Sequence, residues 1–126
     1  MSLDQEGLNS IGVVGPCSAG KTTLIRGLAE SGFQAMHIAQ EHSYVPEMWR
    51  RIGKPKILIY LDVSYQVSMN RRPLDMGEKE FSEQVERLTH AREHADLYLN
   101  TDALSPANVL EMVMKFLGRN LKSNST

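Results

Sequence analysis

The residues best suited to chemistry lie in one short segment of glycines and small side chains, which reads Gly15-Pro16-Cys17-Ser18-Ala19-Gly20-Lys21-Thr22. It matches the pattern G-x-x-x-x-G-K-[ST]. Glycines at the first and sixth positions let backbone amides approach an anion that a side chain would keep away. The ammonium of Lys21 adds a full positive charge, and the hydroxyl of Thr22 is a suitable ligand for Mg²⁺. The spacing therefore predicts a site for a nucleoside triphosphate and Mg²⁺ that includes Thr23.

The elements that must position this segment are a buried strand before it and a helix after it. Residues 10–15 form a short apolar run that is typical of a buried strand. Residues 21–31 carry apolar side chains at helical spacing, and Gly32 stands where a helix commonly ends. The start of a helix adds unpaired N–H groups and the positive end of its dipole to an anion site. The alternative interpretation is a glycine-rich turn that binds nothing.

The rest of the chain alternates predicted strands with predicted helices. We expect further strands at residues 33–39, 56–62 and 97–100, and further helices at residues 44–52, 64–72, 78–94 and 106–118. Such alternation predicts an α/β fold with a parallel sheet of about four strands covered on both faces, a three-layer α/β/α arrangement. Ligands bind at the carboxyl ends of the strands in such sheets, and the glycine-rich segment follows the first of them.

Length and composition indicate one ordinary globular domain. With 126 residues and a formal net charge of −1, the chain has no overall field to attract nucleic acid or an anionic membrane. The one cysteine and the lack of a membrane span or signal peptide make a cytoplasmic protein the expectation. We predict a domain at residues 10–118, with flexible tails at residues 1–9 and 119–126.

Three segments beside the glycine-rich loop support a resemblance to a known superfamily. They are the strand that ends at Asp62, the arginines after it, and the segment Ala95-Asp96-Leu97-Tyr98-Leu99-Asn100-Thr101-Asp102. Over about residues 10–118 the chain resembles P-loop kinases, among them shikimate and gluconate kinases and nucleoside and nucleotide kinases. The resemblance implies the P-loop nucleoside triphosphate hydrolase fold, ATP and Mg²⁺ as cofactors, and phosphoryl transfer. It also implies that Arg71 and Arg72 are lid arginines and that Thr101 and Asp102 lie beside the base.

The resemblance calls for a carboxylate that holds Mg²⁺ through water or orients the nucleophile. Glu41, in Ala39-Gln40-Glu41-His42-Ser43, resembles the Glu-Arg-Ser signature of deoxynucleoside kinases, with His42 in place of arginine. Asp62 is the second candidate for the metal, and its alternative role is to cap the following helix. Both assignments stay open at this point.

Two departures from the kinase pattern leave the reaction open. Only residues 40–56 occupy the interval that normally binds the phosphoryl acceptor, and the lid is no longer than the turn at residues 72–78. The leading prediction is phosphoryl transfer to a small molecule or slow ATP hydrolysis, with a partner protein completing the lid as a further possibility. The alternative is a nucleotide-binding sensor that does not turn over. Neither nucleic acid nor a membrane is an expected partner.

Two other groups have more ordinary interpretations. Cys17 could be sensitive to oxidation because it lies beside a helix start and Lys21, but a small filler whose N–H binds phosphate is the stronger expectation. His90 and His94 have the i, i+4 spacing of zinc ligands without a third ligand nearby, so an exposed polar face is expected.

Overall fold

The computed structural model describes residues 10–72 and 76–125, with side chains as far as Arg119. In this part of the chain the strands are β1 (Ile11–Val14), β2 (Ala35–His37), β3 (Ile57–Asp62) and β4 (Leu97–Asn100). The helices are α1 (Lys21–Glu30), α2 (Met48–Ile52), α3 (Tyr65–Arg71), α4 (Glu78–Arg87), α5 (Thr89–His94) and α6 (Pro106–Ser125), with a 3₁₀ turn at Gln40–His42. The predicted tail at residues 1–9 and part of the predicted lid turn, residues 73–75, lie outside the described residues.

The four strands form one parallel sheet in the order β2-β1-β3-β4. Val13 of β1 lies opposite His37 on one side and Ile59 on the other. The chain therefore moves outward from β1 to β2 and returns to the opposite side of β1 as β3. Connections that diverge in this way open a crevice at the carboxyl edge of a parallel sheet. The predicted α/β class and parallel sheet are confirmed.

Both faces of the sheet are buried, which explains the continuous apolar runs in β1 and β3. Alternate residues point to opposite faces of a strand, and Ile59 accordingly packs in one core cluster while Tyr60 packs in another. Leu28 of α1 and Val113 of α6 belong to the first cluster, and Trp49 of α2 belongs to the second. The arrangement is compatible with three α/β/α layers.

At several helix ends the predicted capping residues are found in capping positions. The Ser64 hydroxyl accepts a hydrogen bond from the Val67 N–H at 3.3 Å and so caps α3. The Ser105 hydroxyl accepts one from the Asn108 N–H at 3.1 Å, just before α6. Gly32 follows α1 with a φ of 91°, a conformation that glycine adopts without strain.

The long helix predicted at residues 78–94 is wrong, because the chain breaks at Leu88 into α4 and α5. Phe81 packs in the first core cluster, whereas Leu88 packs in the second, on the other face of the sheet. Residues seven positions apart lie on nearly the same side of a straight helix, so one helix could not reach both clusters. The break lets one continuous segment cover both.

The predicted ends of two other helices also differ from those observed. The final helix does not end at Gly118 but continues to Ser125. An interior glycine costs a helix only about 0.5–1 kcal/mol relative to alanine, and Arg, Leu and Lys after it are good helix formers. The helix predicted at residues 44–52 begins only at Met48.

Among residues 10–72 and 76–125, no helix combines the length and the apolar character that crossing a membrane requires.

Candidate functional site

The glycine-rich loop connects the end of β1 to the start of α1 in a conformation that depends on its glycines. Gly15 has a φ of 154°, and a Cβ added there would overlap the carbonyl oxygen of Leu61. Gly20 precedes α1 in the left-handed region, with a φ of 97°. Ser18 also has a positive φ, 67°, which is uncommon for a residue with a side chain. The loop is therefore a tight turn fixed by close packing on β3.

The N-terminus of α1 faces the loop without a side-chain cap among the described residues. The first N–H groups of a helix have no acceptor within the helix. They carry the positive end of the helix dipole, so the start of α1 at Lys21 favours an anion.

Lys21 and Glu41, both predicted site residues, are in direct contact. The Lys21 Nζ lies 2.7 Å from the Glu41 Oε2, and it also donates hydrogen bonds to the carbonyl oxygens of Gly15 and Pro16. Only 7% of Lys21 and 2% of Glu41 are exposed. Removing one partner of a buried ion pair leaves an uncompensated charge, so each charge holds the other in place.

Glu41 is positioned by the 3₁₀ turn, whose first residue, Gln40, is fully buried. The Gln40 Nε2 donates to the carbonyl oxygens of Val45 at 2.8 Å and Arg87 at 3.3 Å. Its Oε1 accepts a hydrogen bond from the Trp49 N–H at 2.7 Å. Gln40 thus ties the turn to α2 and α4. The sequence analysis missed this role because no local pattern shows which distant carbonyls a glutamine meets.

Two histidines flank the carboxylate of Glu41. The His37 and His42 Nε2 atoms lie 3.9 Å and 3.8 Å from the Glu41 Oε2. Burial, and then the positive charge of Lys21, lower the pKa of His37 from its ordinary value. This environment therefore favours the neutral form of His37. The sequence signal for these histidines is their position at the carboxyl end of β2, where His37 is the last residue of the strand and His42 lies in the turn that follows.

Arg71, a predicted site residue, connects α3 to two loops at the carboxyl edge of the sheet. Its Nη1 donates to the Ser18 carbonyl oxygen at 3.2 Å and to the Thr101 Oγ1 at 2.9 Å, and its Nη2 donates to the Thr101 carbonyl oxygen. The arginine connects the glycine-rich loop to the loop after β4.

Cys17 is held by side chains of α3 and α4. The Ser68 hydroxyl donates to the Cys17 carbonyl oxygen at 3.1 Å. The Gln84 Oε1 accepts from the Cys17 N–H at 3.2 Å, while the Gln84 Nε2 donates to the Cys17 Sγ at 3.3 Å. Gln84 was not identified from the sequence, because its partner lies 67 positions away.

A cavity of about 680 Å³ opens over the loop. Most of the predicted site residues line it: Cys17, Ser18, Ala19, Gly20, Lys21, Thr22, Thr23, Glu41, Arg71, Arg72 and Thr101. Residues that the sequence analysis did not assign to the site also line it: Leu24, His37, His42, Leu104, Pro106 and Val109. The volume lies within the usual range for a small-molecule site, about 300–1,000 Å³.

Four predicted site residues are not in the lining of this cavity: Gly15, Pro16, Asp62 and Asp102. The Asp62 Oδ1 accepts from the Val63 N–H at 2.9 Å, and its Oδ2 accepts from the Tyr98 hydroxyl. The Asp102 Oδ1 accepts from the Ser64 N–H at 2.8 Å. Glu41, and not Asp62, is thus the predicted carboxylate that faces the loop.

Two buried oxygen atoms of the site, the Ser18 Oγ and the Glu41 Oε1, have no hydrogen-bond partner among the described residues. The cavity that these residues line also contains Lys21, Arg71, Arg72 and the start of α1, with the carboxylate of Glu41 as the negative charge. This balance of charge suits a polyanion with an associated cation.

No protein-family model matches the sequence, and neither does any curated protein.

Proposed function

We propose that this chain is a kinase-like P-loop protein that binds ATP with Mg²⁺ and transfers or slowly hydrolyses the γ-phosphate. One observation carries the proposal. The loop at residues 15–22 joins a buried strand to an uncapped helix, and the Lys21 ammonium lies beside a cavity of about 680 Å³. This geometry, together with the sequence pattern, supports the three-layer P-loop fold.

The loop and the start of α1 would hold the phosphates. Lys21 would exchange the oxygen atoms that it now contacts for phosphate oxygens, beside the first N–H groups of α1. The Cys17 and Ala19 N–H groups of the loop donate to Gln84 and to the Pro16 carbonyl oxygen. The Thr22 hydroxyl, which lines the same cavity, would ligate Mg²⁺.

Release of Lys21 would leave Glu41 as an unpaired carboxylate next to the bound phosphates. A carboxylate there can hold Mg²⁺ through water or orient and deprotonate the nucleophile. We prefer Glu41 to Asp62 for this role, because both Asp62 oxygens accept hydrogen bonds from neighbouring residues. Asp62 remains the second candidate for the metal.

Arg71, Arg72 and Thr101 would complete the site on the side of the base and the γ-phosphate. A planar guanidinium can neutralise phosphate charge and stack on a base. Leu104, Pro106 and Val109 add an apolar wall to the same cavity, which suits the ring of a nucleobase. The preference for adenine rests on the resemblance to kinases.

A nucleotide-binding sensor is the second candidate, and one observation favours it. Between β2 and β3 the described chain forms only a 3₁₀ turn and the five-residue helix α2. Trp49 of α2 packs in the core, and the segment is shorter than the acceptor-binding interval of the kinases that the chain resembles. A sensor would bind the nucleotide and not turn it over.

Thermal unfolding with a panel of nucleotides, with and without Mg²⁺, tests the binding. A ligand at 100 times its Kd stabilises the fold by about 2.7 kcal/mol. We expect Mg·ATP to raise the Tm of the wild type and of Lys115→Ala, whose lysine is exposed on α6, but not of Lys21→Ala. No stabilisation by any triphosphate at millimolar concentration would overturn the proposal.

Phosphate release separates the two candidates. Catalysis predicts Mg²⁺-dependent loss of the γ-phosphate that both Lys21→Ala and Glu41→Gln abolish. A sensor predicts stabilisation by nucleotide without any release. Full activity in Glu41→Gln would show that Glu41 is not the general base.

A further inference from the structure

We infer that Cys17, Glu41 and His42 form a site for a borderline-soft divalent cation such as Zn²⁺. Each residue offers one ligand atom, and these atoms all lie within 4.8 Å of one another. The inference goes beyond the proposed function, since it concerns the binding of a metal ion without a nucleotide.

The buried carboxylate of Glu41 is the independent observation that points to a ligand. Its Oε2 contacts Lys21, but its Oε1 is buried without a hydrogen-bond partner among residues 10–72 and 76–125. Such an atom carries a desolvation cost that a hydrogen bond or a cation would offset. Because Lys21 donates to Oε2, Oε1 is the carboxylate oxygen without a partner.

The donor set selects the class of cation. A thiolate, an imidazole nitrogen and a carboxylate oxygen are ligands of Zn²⁺ and Co²⁺, whereas Mg²⁺ prefers oxygen ligands alone. The Cys17 thiolate adds one negative charge beside the ion, and the Glu41 carboxylate would be shared between the ion and the Lys21 ammonium. Three protein ligands leave a fourth position for water, as in zinc sites that are not purely structural.

The surroundings of the three ligands also suit a metal. The Gln84 Nε2 donates to the Cys17 Sγ at 3.3 Å, and such outer contacts orient ligands and stabilise a thiolate. Arg87 donates to the Glu41 carbonyl oxygen at 3.2 Å and so fixes the turn that carries two ligands. All three ligands line the cavity of about 680 Å³, which provides the entry path.

Titration of the reduced, metal-free full chain with Co²⁺ tests the site. We expect a thiolate-to-cobalt charge-transfer band in the near ultraviolet and the visible bands of a tetrahedral ion. Zn²⁺ should displace the cobalt, and a large excess of Mg²⁺ should not. Absence of the charge-transfer band would overturn the inference, since Cys17 is the one cysteine of the chain.

Three variants locate the metal. Cys17→Ser should abolish the charge-transfer band, and His42→Ala should weaken Co²⁺ binding at least about tenfold. The side chain of His42 is 63% exposed, so His42→Ala should fold like the wild type, which its Tm without metal would check. His94→Ala is the matched control because it removes the i, i+4 histidine pair. An unchanged affinity in His42→Ala, or an equal loss in His94→Ala, would contradict the site.

The metal test is separate from the test of nucleotide binding. It uses no nucleotide, and its decisive variant, His42→Ala, changes neither the loop nor Lys21. Stabilisation of the wild type by Mg·ATP without cobalt binding would overturn only the metal site, and the reverse result would overturn only the proposed function.

Discussion

At Gly15 the chain leaves β1 against the backbone of β3, and a methyl group there would overlap the Leu61 carbonyl oxygen. Leu61 is fully buried in an interior strand, so its backbone cannot easily shift. We expect Gly15→Ala to lower the free energy of unfolding by at least about 3 kcal/mol. Denaturant unfolding measures this change.

Gly20→Ala is the matched control for Gly15→Ala. Gly20 also has a positive φ, 97°, but a Cβ there would meet no atom within 4 Å. Only the strain of the left-handed conformation then remains, which costs about 1–2 kcal/mol. Equal effects of the two substitutions would show that the overlap at Gly15 does not determine the loop.

A pH dependence of stability should arise at His37. Burial and Lys21 lower its pKa in the folded state below the ordinary value of 6.5. As the pH falls through 6.5, His37 is therefore protonated in the unfolded chain before it is protonated in the folded protein. This protonation favours the unfolded chain, so the free energy of unfolding decreases. Above pH 6.5 the contribution of neutral His37 to the free energy of unfolding is fully present. Between about pH 7 and pH 5 the stability of His37→Gln should fall less steeply than that of the wild type.

Denaturant midpoints of both proteins across this range measure the effect of His37. The other histidines are common to the two proteins, so the difference between the curves isolates one group. Parallel curves would mean that the folded protein does not perturb His37.

Among the elements, the 3₁₀ turn at Gln40–His42 depends on tertiary hydrogen bonds. Gln40→Met keeps the apolar bulk but leaves the buried Trp49 N–H without its acceptor, whereas the Val45 carbonyl oxygen keeps the Met48 N–H. Each unsatisfied buried group costs about 1–3 kcal/mol. We expect a loss of stability in that range or above it, measured by denaturant unfolding. The exposed Gln66→Met should change stability by less than about 0.5 kcal/mol, and an equally small effect at Gln40 would argue against its role.

The observed length of α6 can be tested by a substitution at Gly118. If α6 continues through Gly118, Gly118→Ala should stabilise the protein by about 0.5–1 kcal/mol, because alanine favours the interior of a helix. A Cβ at this position would meet no atom within 4 Å. Thermal unfolding measures the gain. Destabilisation would instead indicate that the helix ends at Gly118 in a left-handed conformation.

The elements that the sequence predicted well are those with strong local signals. The buried strands β1 and β3 are short apolar runs, and Ser64 and Ser105 are typical capping residues. The break at Leu88 escaped prediction because it arises from packing on two faces of the sheet. The hydrogen-bond partners of Gln40 and Gln84 lie far away in the sequence, and no local pattern indicates them.

On the scale of the whole molecule, strand order creates the candidate site. β2 and β3 lie on opposite sides of β1, so the connections to them leave a crevice at the carboxyl edge of the sheet. The glycine-rich loop lies at this crevice. Lys21, Glu41, Arg71 and Thr101 come from four separate segments and meet only there. The sequence could identify the loop from its motif, but the choice between Glu41 and Asp62 required the positions of their side chains.

The central claim is that this loop binds the phosphates of a nucleoside triphosphate, and amide NMR spectra recorded during a titration with Mg·ATP test it most directly. The predicted result is a saturable shift of the backbone amides of Ser18, Gly20, Lys21 and Thr22, with an affinity at least about tenfold weaker in Lys21→Ala. Loop amides that stay unchanged at millimolar Mg·ATP, or shifts confined to another surface, would contradict the claim.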